Sequence, residues 1–192
     1  MKKLLLSFAV AMTSLAFAQE KANSSSSVRF GLKAGLNIAS ISADDSKAKA
    51  GIYGGAFANI PIAESFSIQP EILYNGVGSK YDGDSDLRLN LDYISIPVMF
   101  QYNFVPNFYV EAGPQFGFLI NSKLKSDVGS FDADDVFKGC DVGIGLGAGY
   151  YFTDDFGVTA RFVAGLNDIV DNNPGDAVRN NVFQVGVAYK FK

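Results

Sequence analysis

The chain contains no histidine, no tryptophan and a single cysteine, Cys140, among its 192 residues. Without histidine, its serines and aspartates lack the side chain that ordinarily acts as general base near neutral pH. Zinc sites built from His and Cys go with it. One cysteine cannot form an intrachain disulfide even in an oxidising compartment. With no His beside it, Cys140 reads as a small packed or lipid-facing side chain rather than a nucleophile. Together these absences point away from an enzyme. Charge is also sparse, at 19% of residues, and its balance is acidic, with a formal net charge of −4. Phosphate binding requires patches rich in Lys and Arg, so nucleic acid is not an expected partner.

The region after residue 18 has no apolar run of the roughly 20 residues that a transmembrane helix needs. That does not argue against a membrane protein. A transmembrane strand needs only about 9–11 residues and alternates apolar with polar, so it produces no such run.

The N-terminus reads as a secretory signal peptide spanning residues 1–18. Lys2 and Lys3 form a positive start, Leu4 to Ala16 an apolar stretch, and Ala16-Phe17-Ala18 a small-x-small cleavage pattern, with cutting expected before Gln19. Loss of Lys2 and Lys3 leaves the mature chain two charges more negative. No cysteine follows the cut to carry a lipid anchor. Residues 19–27 form a polar leader, and 28–192 the folded domain.

The domain is rich in glycine (20) and in aromatics (14% of the chain), and it divides into alternating segments. Strands are expected at about 28–41, 51–62, 66–80, 88–104, 107–121, 139–152, 155–168 and 181–191. In the last of these, Phe183, Val185, Val187, Tyr189 and Phe191 share one face, and Gln184, Gly186, Ala188 and Lys190 the other. In the fifth, Phe108, Val110, Ala112, Phe116, Phe118 and Ile120 oppose Tyr109, Glu111, Gln115 and Asn121. Period-two alternation gives each strand one apolar and one polar face. A soluble sandwich would turn the apolar face inward, a membrane barrel outward.

The connections separate the two. Short turns at 63–65, 105–106 and 153–154 alternate with long loops at 42–50, 81–87, 122–138 and 170–180. Every short turn then falls on one rim and every long loop on the other, as in outer-membrane barrels. Aromatic and apolar residues flank the short turns (Ile62 and Phe66, Phe104 and Phe108, Phe152 and Phe156), and Phe191 ends the chain on the same rim. Rings gathered at one level match an interfacial girdle. The expected fold is all-β: an eight-stranded antiparallel up-and-down transmembrane barrel in the cell outer membrane.

Several segments carry a resemblance to a known family. They are Phe30-Gly-Leu-Lys-Ala-Gly-Leu-Asn37, Phe66-Ser-Ile-Gln-Pro-Glu-Ile-Leu-Tyr74, Tyr93-Ile-Ser-Ile-Pro-Val98, Tyr109-Val-Glu-Ala-Gly-Pro114 and Ala160-Arg-Phe-Val-Ala-Gly-Leu166. They resemble the small outer-membrane β-barrel family of Bacteroidetes, the porin-like or PorT-like barrels, of OmpA/OmpX size. Ser95 departs from the resemblance, standing where such proteins often carry Glu. What the resemblance implies is location and architecture rather than a reaction.

Strand parity points Lys33, Gln69, Glu71, Gln101, Glu111, Gln115, Arg161, Gln184 and Lys190 into the barrel. Lys33, Glu71, Glu111, Arg161 and Lys190 are the expected polar cluster of the lumen. Eight strands enclose a space that side chains just fill, and unpaired buried charge is costly, so a salt-bridged plug is expected. Gly143, Gly145, Gly147 and Gly149 share the inner face of one strand, where they either leave room or accommodate bulky neighbours. In the loops, Asp82, Asp84 and Asp86 open like a calcium loop, D-x-D-x-D. Leu87 then replaces the usual Gly and Tyr93 the later Glu, so they are weak candidates for Ca²⁺ or Mg²⁺. Asp132, Asp134 and Asp135 form a similar acidic group. No other cofactor is expected.

The expected role is structural, or recognition through the long loops, without catalysis. A small diffusion pore for ions or small solutes is the second reading, and a soluble lipocalin-like carrier the third. Expected partners are outer-membrane lipid, lipopolysaccharide and the barrel-assembly machinery during biogenesis, with the chain itself a monomer.

Overall fold

Alternation becomes strand throughout the domain. The computed structural model describes residues 28–42, 46–81, 87–126, 129–132, 137–170 and 175–192. The expected signal peptide and leader, at 1–27, lie outside them. Among the described residues there are nine strands: β1 (Arg29–Ile41), β2 (Ser46–Ala63), β3 (Phe66–Tyr81), β4 (Leu87–Val105), β5 (Phe108–Ser126), β6 (Gly129–Asp132), β7 (Cys140–Tyr151), β8 (Phe156–Gly165) and β9 (Asn180–Lys190). No helix occurs among the described residues.

Eight of these strands close a ring. Each pairs antiparallel with its neighbour, β4 pairs with β5, β5 with β7, and β9 returns to β1 from Gly31↔Lys190 to Ile41↔Asn180. Closure leaves no unpaired edge in the ring, and in hydrocarbon that is obligatory, because no water is present to satisfy free backbone groups. The short β6 stands outside the ring. It extends β5 as a hairpin arm, with Lys123↔Asp132 and Ser126↔Gly129 in register.

The outer surface is apolar. Phe30, Leu32, Leu36, Ile52, Ile72, Phe100, Phe116, Leu146, Phe162, Phe183 and Val185 all point outward and are exposed. Water would not tolerate so large a continuous apolar surface, whereas lipid requires it. A soluble lipocalin-like carrier needs the opposite, a polar exterior around an apolar cavity, and that reading is set aside. Around the short turns the rings touch. Phe66, Tyr102, Phe104 and Phe108 follow one another with centroids 4.8, 4.8 and 6.1 Å apart. Tyr150, Phe152 and Phe156 continue at 5.3 and 6.4 Å.

The two ends of the domain are tied together on that rim. Arg29 donates through Nη2 to Asp155 Oδ1 at 2.5 Å and through Nη1 to the Asp154 carbonyl at 2.8 Å. The Phe191 amide donates to the Phe30 carbonyl at 2.7 Å.

Four expectations need correction. The second strand begins at Ser46 rather than near 51, and the fifth continues past residue 121 to Ser126. The seventh of the expected segments, 155–168, is cut short at Gly165, where the chain turns inward and Ile169 becomes fully buried. The 122–138 connection holds β6 and the end of β5. An arm beyond the bilayer has no lipid face to impose apolar alternation, so its sequence reads as loop.

Asn121 is the fourth. Parity places it inside, but β5 has a bulge. Tyr93 pairs with Leu119 and Asp92 with Asn121, leaving Ile120 without an opposite residue. One extra residue reverses the faces beyond it. Asn121 therefore turns outward and donates to Asp92 Oδ2 at 2.8 Å, while Ser122 is fully buried. A second irregularity lies between Ala48 and Tyr53 of β2. Opposite it Gly78 adopts a φ of 136°, open to glycine and strained for other residues. The Lys49 ammonium fills the gap, donating to the Val77 and Leu89 carbonyls at 3.2 and 3.1 Å.

Leu146 lies midway along β7 on the outer face. Replacement by Arg is expected to destabilise the barrel by about 2–4 kcal/mol relative to Leu146→Ala, as for charge at the bilayer midplane. Urea unfolding in lipid vesicles measures it; an equal cost for the two variants would mean that this face does not meet hydrocarbon.

Candidate functional site

The lumen is filled in layers. Nearest the short turns, Phe57, Tyr109, Tyr151 and Ala188 pack together. Small residues on β7 make this possible, since a Cβ at Gly149 would collide with the Tyr109 ring. Further along, a Cβ at Gly147 would crowd the Glu111 carboxylate, and one at Gly145 would crowd Met99 and Arg161. The inward glycines of β7 therefore accommodate neighbours rather than leave space.

Above the rings lies a charged layer. Lys33, Glu71, Glu111 and Arg161 come from β1, β3, β5 and β8, every second strand around the ring of eight. β3 and β8 are on opposite walls, and Arg161 spans the lumen between them. Its Nη1 and Nη2 donate to Glu71 Oε2 and Oε1 at 2.8 and 2.7 Å, the planar fork meeting the carboxylate with two parallel bonds. Its Nε donates to Glu111 Oε1 at 2.8 Å. Lys33 Nζ donates to Glu71 Oε1 at 2.7 Å. All four residues are buried. Two cations face two carboxylates, so the layer is neutral.

Neutral side chains complete the network. Gln69 Nε2 donates to Glu71 Oε1 at 2.8 Å and Gln101 Nε2 to Glu111 Oε2 at 2.9 Å. Asn59 Nδ2 in turn donates to Gln101 Oε1 at 2.9 Å and to Ser67 Oγ at 3.1 Å. Buried ions are tolerable only when their remaining lone pairs and protons are satisfied in this way.

Towards the long loops an amide layer follows. Gln184 Nε2 donates to Asn37 Oδ1 and Asn75 Oδ1 at 3.0 and 2.8 Å, and Asn37 Nδ2 to Asn75 Oδ1 at 3.2 Å. Ile41, Val77, Leu89, Leu91, Val163 and Ile169 then form an apolar cap inside the barrel mouth. Between the amide layer and the cap is a void of about 10 Å³, enough for about one water molecule.

Four of the five residues expected in the polar cluster therefore meet. Lys190 does not join them. It points inward, but at the short-turn rim, with Nζ 3.8 Å from the centre of the Tyr151 ring. Parity assigns a face and carries no depth, and depth is what separates Lys190 from the other charges. Asp82, Asp84, Asp86, Asp134 and Asp135 lie outside the described residues, as does the side chain of Asp132. Among the described residues no group of three or more Asp, Glu, Cys or His is placed to hold a metal. Cys140 points outward and is exposed.

The cap was not anticipated, although β4 signals it. From Ser95 to Gln101 its inward positions are Ser95, Pro97, Met99 and Gln101, whereas from Leu89 to Tyr93 they are Leu89, Leu91 and Tyr93. Polar Asn90 and Asp92 take the outer face in the same stretch. The polarity of the two faces reverses partway along the strand.

A closed ring, an apolar belt, an aromatic girdle and a polar lumen describe an outer-membrane barrel. A family model for the outer membrane protein beta-barrel domain matches residues 17–171. The chain belongs to this family. It is an outer-membrane protein. Among solved structures it is similar to Neisserial surface protein A, at 16% identity and a TM-score of 0.57, covering 86% of this chain and 100% of that one. It is also similar to Ail, the attachment invasion locus protein of Yersinia pestis, at 12% identity and a TM-score of 0.52, again over 86% and 100%. At such identities the likeness is one of fold. A search of curated proteins finds no match.

Arg161→Ala leaves Glu71 and Glu111 short of a counter-charge in the lumen of this outer-membrane barrel. The expected cost is about 3–5 kcal/mol. Lys190→Ala removes a cation–π contact at the rim and is expected to cost about 1 kcal/mol or less. Denaturant titration of the two refolded variants measures the difference; comparable losses would show that the charged layer does not hold the lumen together.

Proposed function

We propose that this outer-membrane barrel is a non-enzymatic recognition protein whose lumen is a sealed support for its long loops. One observation carries the reading. The interior void between the amide layer and the apolar cap is only about 10 Å³, and the charged layer below it bridges opposite walls. Such a core, among the described residues, argues against a path for solutes. The absence of histidine supports a role without catalysis, since the common general base is missing.

With a sealed lumen, the surfaces left for function are the long loops. The four long connections between strands of the ring, at 42–45, 82–86, 127–139 and 166–179, hold twelve Asp and two Lys or Arg. This acidic balance favours cationic partners, or anionic ones bridged by divalent cations as lipopolysaccharide phosphates can be. The Ail structure was solved in complex with a heparin analogue, sucrose octasulfate. An acidic loop set is a poor receptor for so strongly anionic a ligand. Asp82, Asp84 and Asp86 are the loop positions with the spacing to take Ca²⁺ or Mg²⁺ weakly.

Within the family, the segments at 30–37, 66–74, 93–98, 109–114 and 160–166 support membership of the PorT-like barrels of Bacteroidetes. Residues 1–18 direct export, the assembly machinery inserts the mature chain from Gln19, and it acts as a monomer.

The second reading, a small diffusion pore, requires the charged layer to open. The refolded protein in a planar bilayer is expected to show no discrete conductance steps. Steps that Glu111→Trp abolishes would establish the pore instead. Capture of a partner on intact cells, lost when the loop at 122–138 is shortened, is the matching result for recognition.

A further inference from the structure

The small void near the barrel mouth is lined by more polar atoms than its surroundings satisfy. Five buried side-chain atoms of its lining have no hydrogen-bond partner: Asn75 Nδ2, Tyr93 Oη, Gln115 Oε1, Asp141 Oδ1 and Asn180 Oδ1. Asn75, Tyr93 and Asn180 are each at least 95% buried. Buried polar atoms are satisfied as a rule, so five exceptions around a single void point to an occupant.

The charge balance says which kind. Asp141 projects into the barrel from β7, and its other oxygen accepts from Asn180 Nδ2 at 3.1 Å. That bond fixes the orientation of the Asn180 amide and leaves Asn180 Oδ1 facing the void. No Lys or Arg among the described residues pairs with Asp141. The charged layer has nothing to lend, because its two cations are matched by Glu71 and Glu111. A water molecule would serve the donors but would leave the carboxylate without a counter-charge.

We propose that Asp141, Asn180, Gln115 and Tyr93 hold one monovalent cation of about sodium's size. Four of the five unpartnered atoms are oxygens, the donor set of a hard cation. A single positive charge neutralises the single carboxylate. A divalent ion would leave an excess positive charge in the barrel. The void, about 10 Å³, admits one small sphere. Asn75 Nδ2 is the one lining atom that a cation does not serve. The site ties β4, β5, β7 and β9 together beneath the apolar cap, so its occupancy steadies the end of the barrel that carries the loops.

The test uses the full mature chain refolded in detergent, with stability followed by denaturant titration in NaCl and in choline chloride at equal ionic strength. Choline is too large for the void. Above the dissociation constant, each tenfold rise in Na⁺ is expected to raise the folding equilibrium constant about tenfold, with no such rise in choline. Asp141→Asn keeps the shape and removes the charge, and it is expected to abolish the sodium dependence. ²³Na relaxation on the unaltered protein, reversed by competing Li⁺ or K⁺, supplies a reading if that variant fails to fold. Equal stability in the two salts, sodium dependence that persists in Asp141→Asn, a stronger response to Ca²⁺, or an ordered water alone in the void would each overturn the assignment.

Discussion

Arg161 reaches across the lumen to Glu71 on the opposite wall, and the rest of the interior is arranged around that contact. An eight-stranded barrel has a bore narrow enough for one extended side chain to bridge, and its walls are too polar to collapse as an oil-filled core would. Bridging it with charge is costly unless each ion is fully matched. The matching is visible in Lys33 and Glu111, then in Gln69 and Gln101, then in Asn59 and Ser67. The inward glycines of β7 follow from the same constraint, because Arg161 on one neighbouring strand and Glu111 and Tyr109 on the other need a bare strand between them.

Much of this was legible from residue order alone, for a physical reason. A strand with lipid on one side and a crowded lumen on the other must alternate at every position, so parity reveals which way each side chain points. Lys33, Glu71, Glu111 and Arg161 are inward for that reason, and the outward aromatics of β9 likewise. Antiparallel pairing across the three short turns follows because two or three residues cannot carry a crossover. Function is less legible, since recognition depends on loop shape, and loop shape leaves no periodic trace.

Parity failed where a second variable entered. Lys190 has the right face but the wrong depth, and depth depends on stagger between strands rather than on residue order within one. Asn121 lies beyond a single extra residue in β5, invisible until its pairing with β4 is known. The apolar cap was missed because a polar interior was assumed along the whole length of each strand. That rule holds only while lipid lies outside; where β4 leaves the membrane, an ordinary protein core becomes favourable again.

The reversal of faces along β4 therefore measures height. From Leu89 to Tyr93 the strand has polar residues outside and apolar ones within, as a soluble protein does. Five residues at about 3.3 Å each make roughly 17 Å of strand, or about 13 Å of elevation at the usual barrel tilt. On the β4 side the wall thus faces water outside the apolar cap. On the β1, β8 and β9 side Ile38, Phe162 and Phe183 keep the exterior apolar beside Ala39, Val163 and Val182, so the barrel meets the bilayer at unequal heights around its ring.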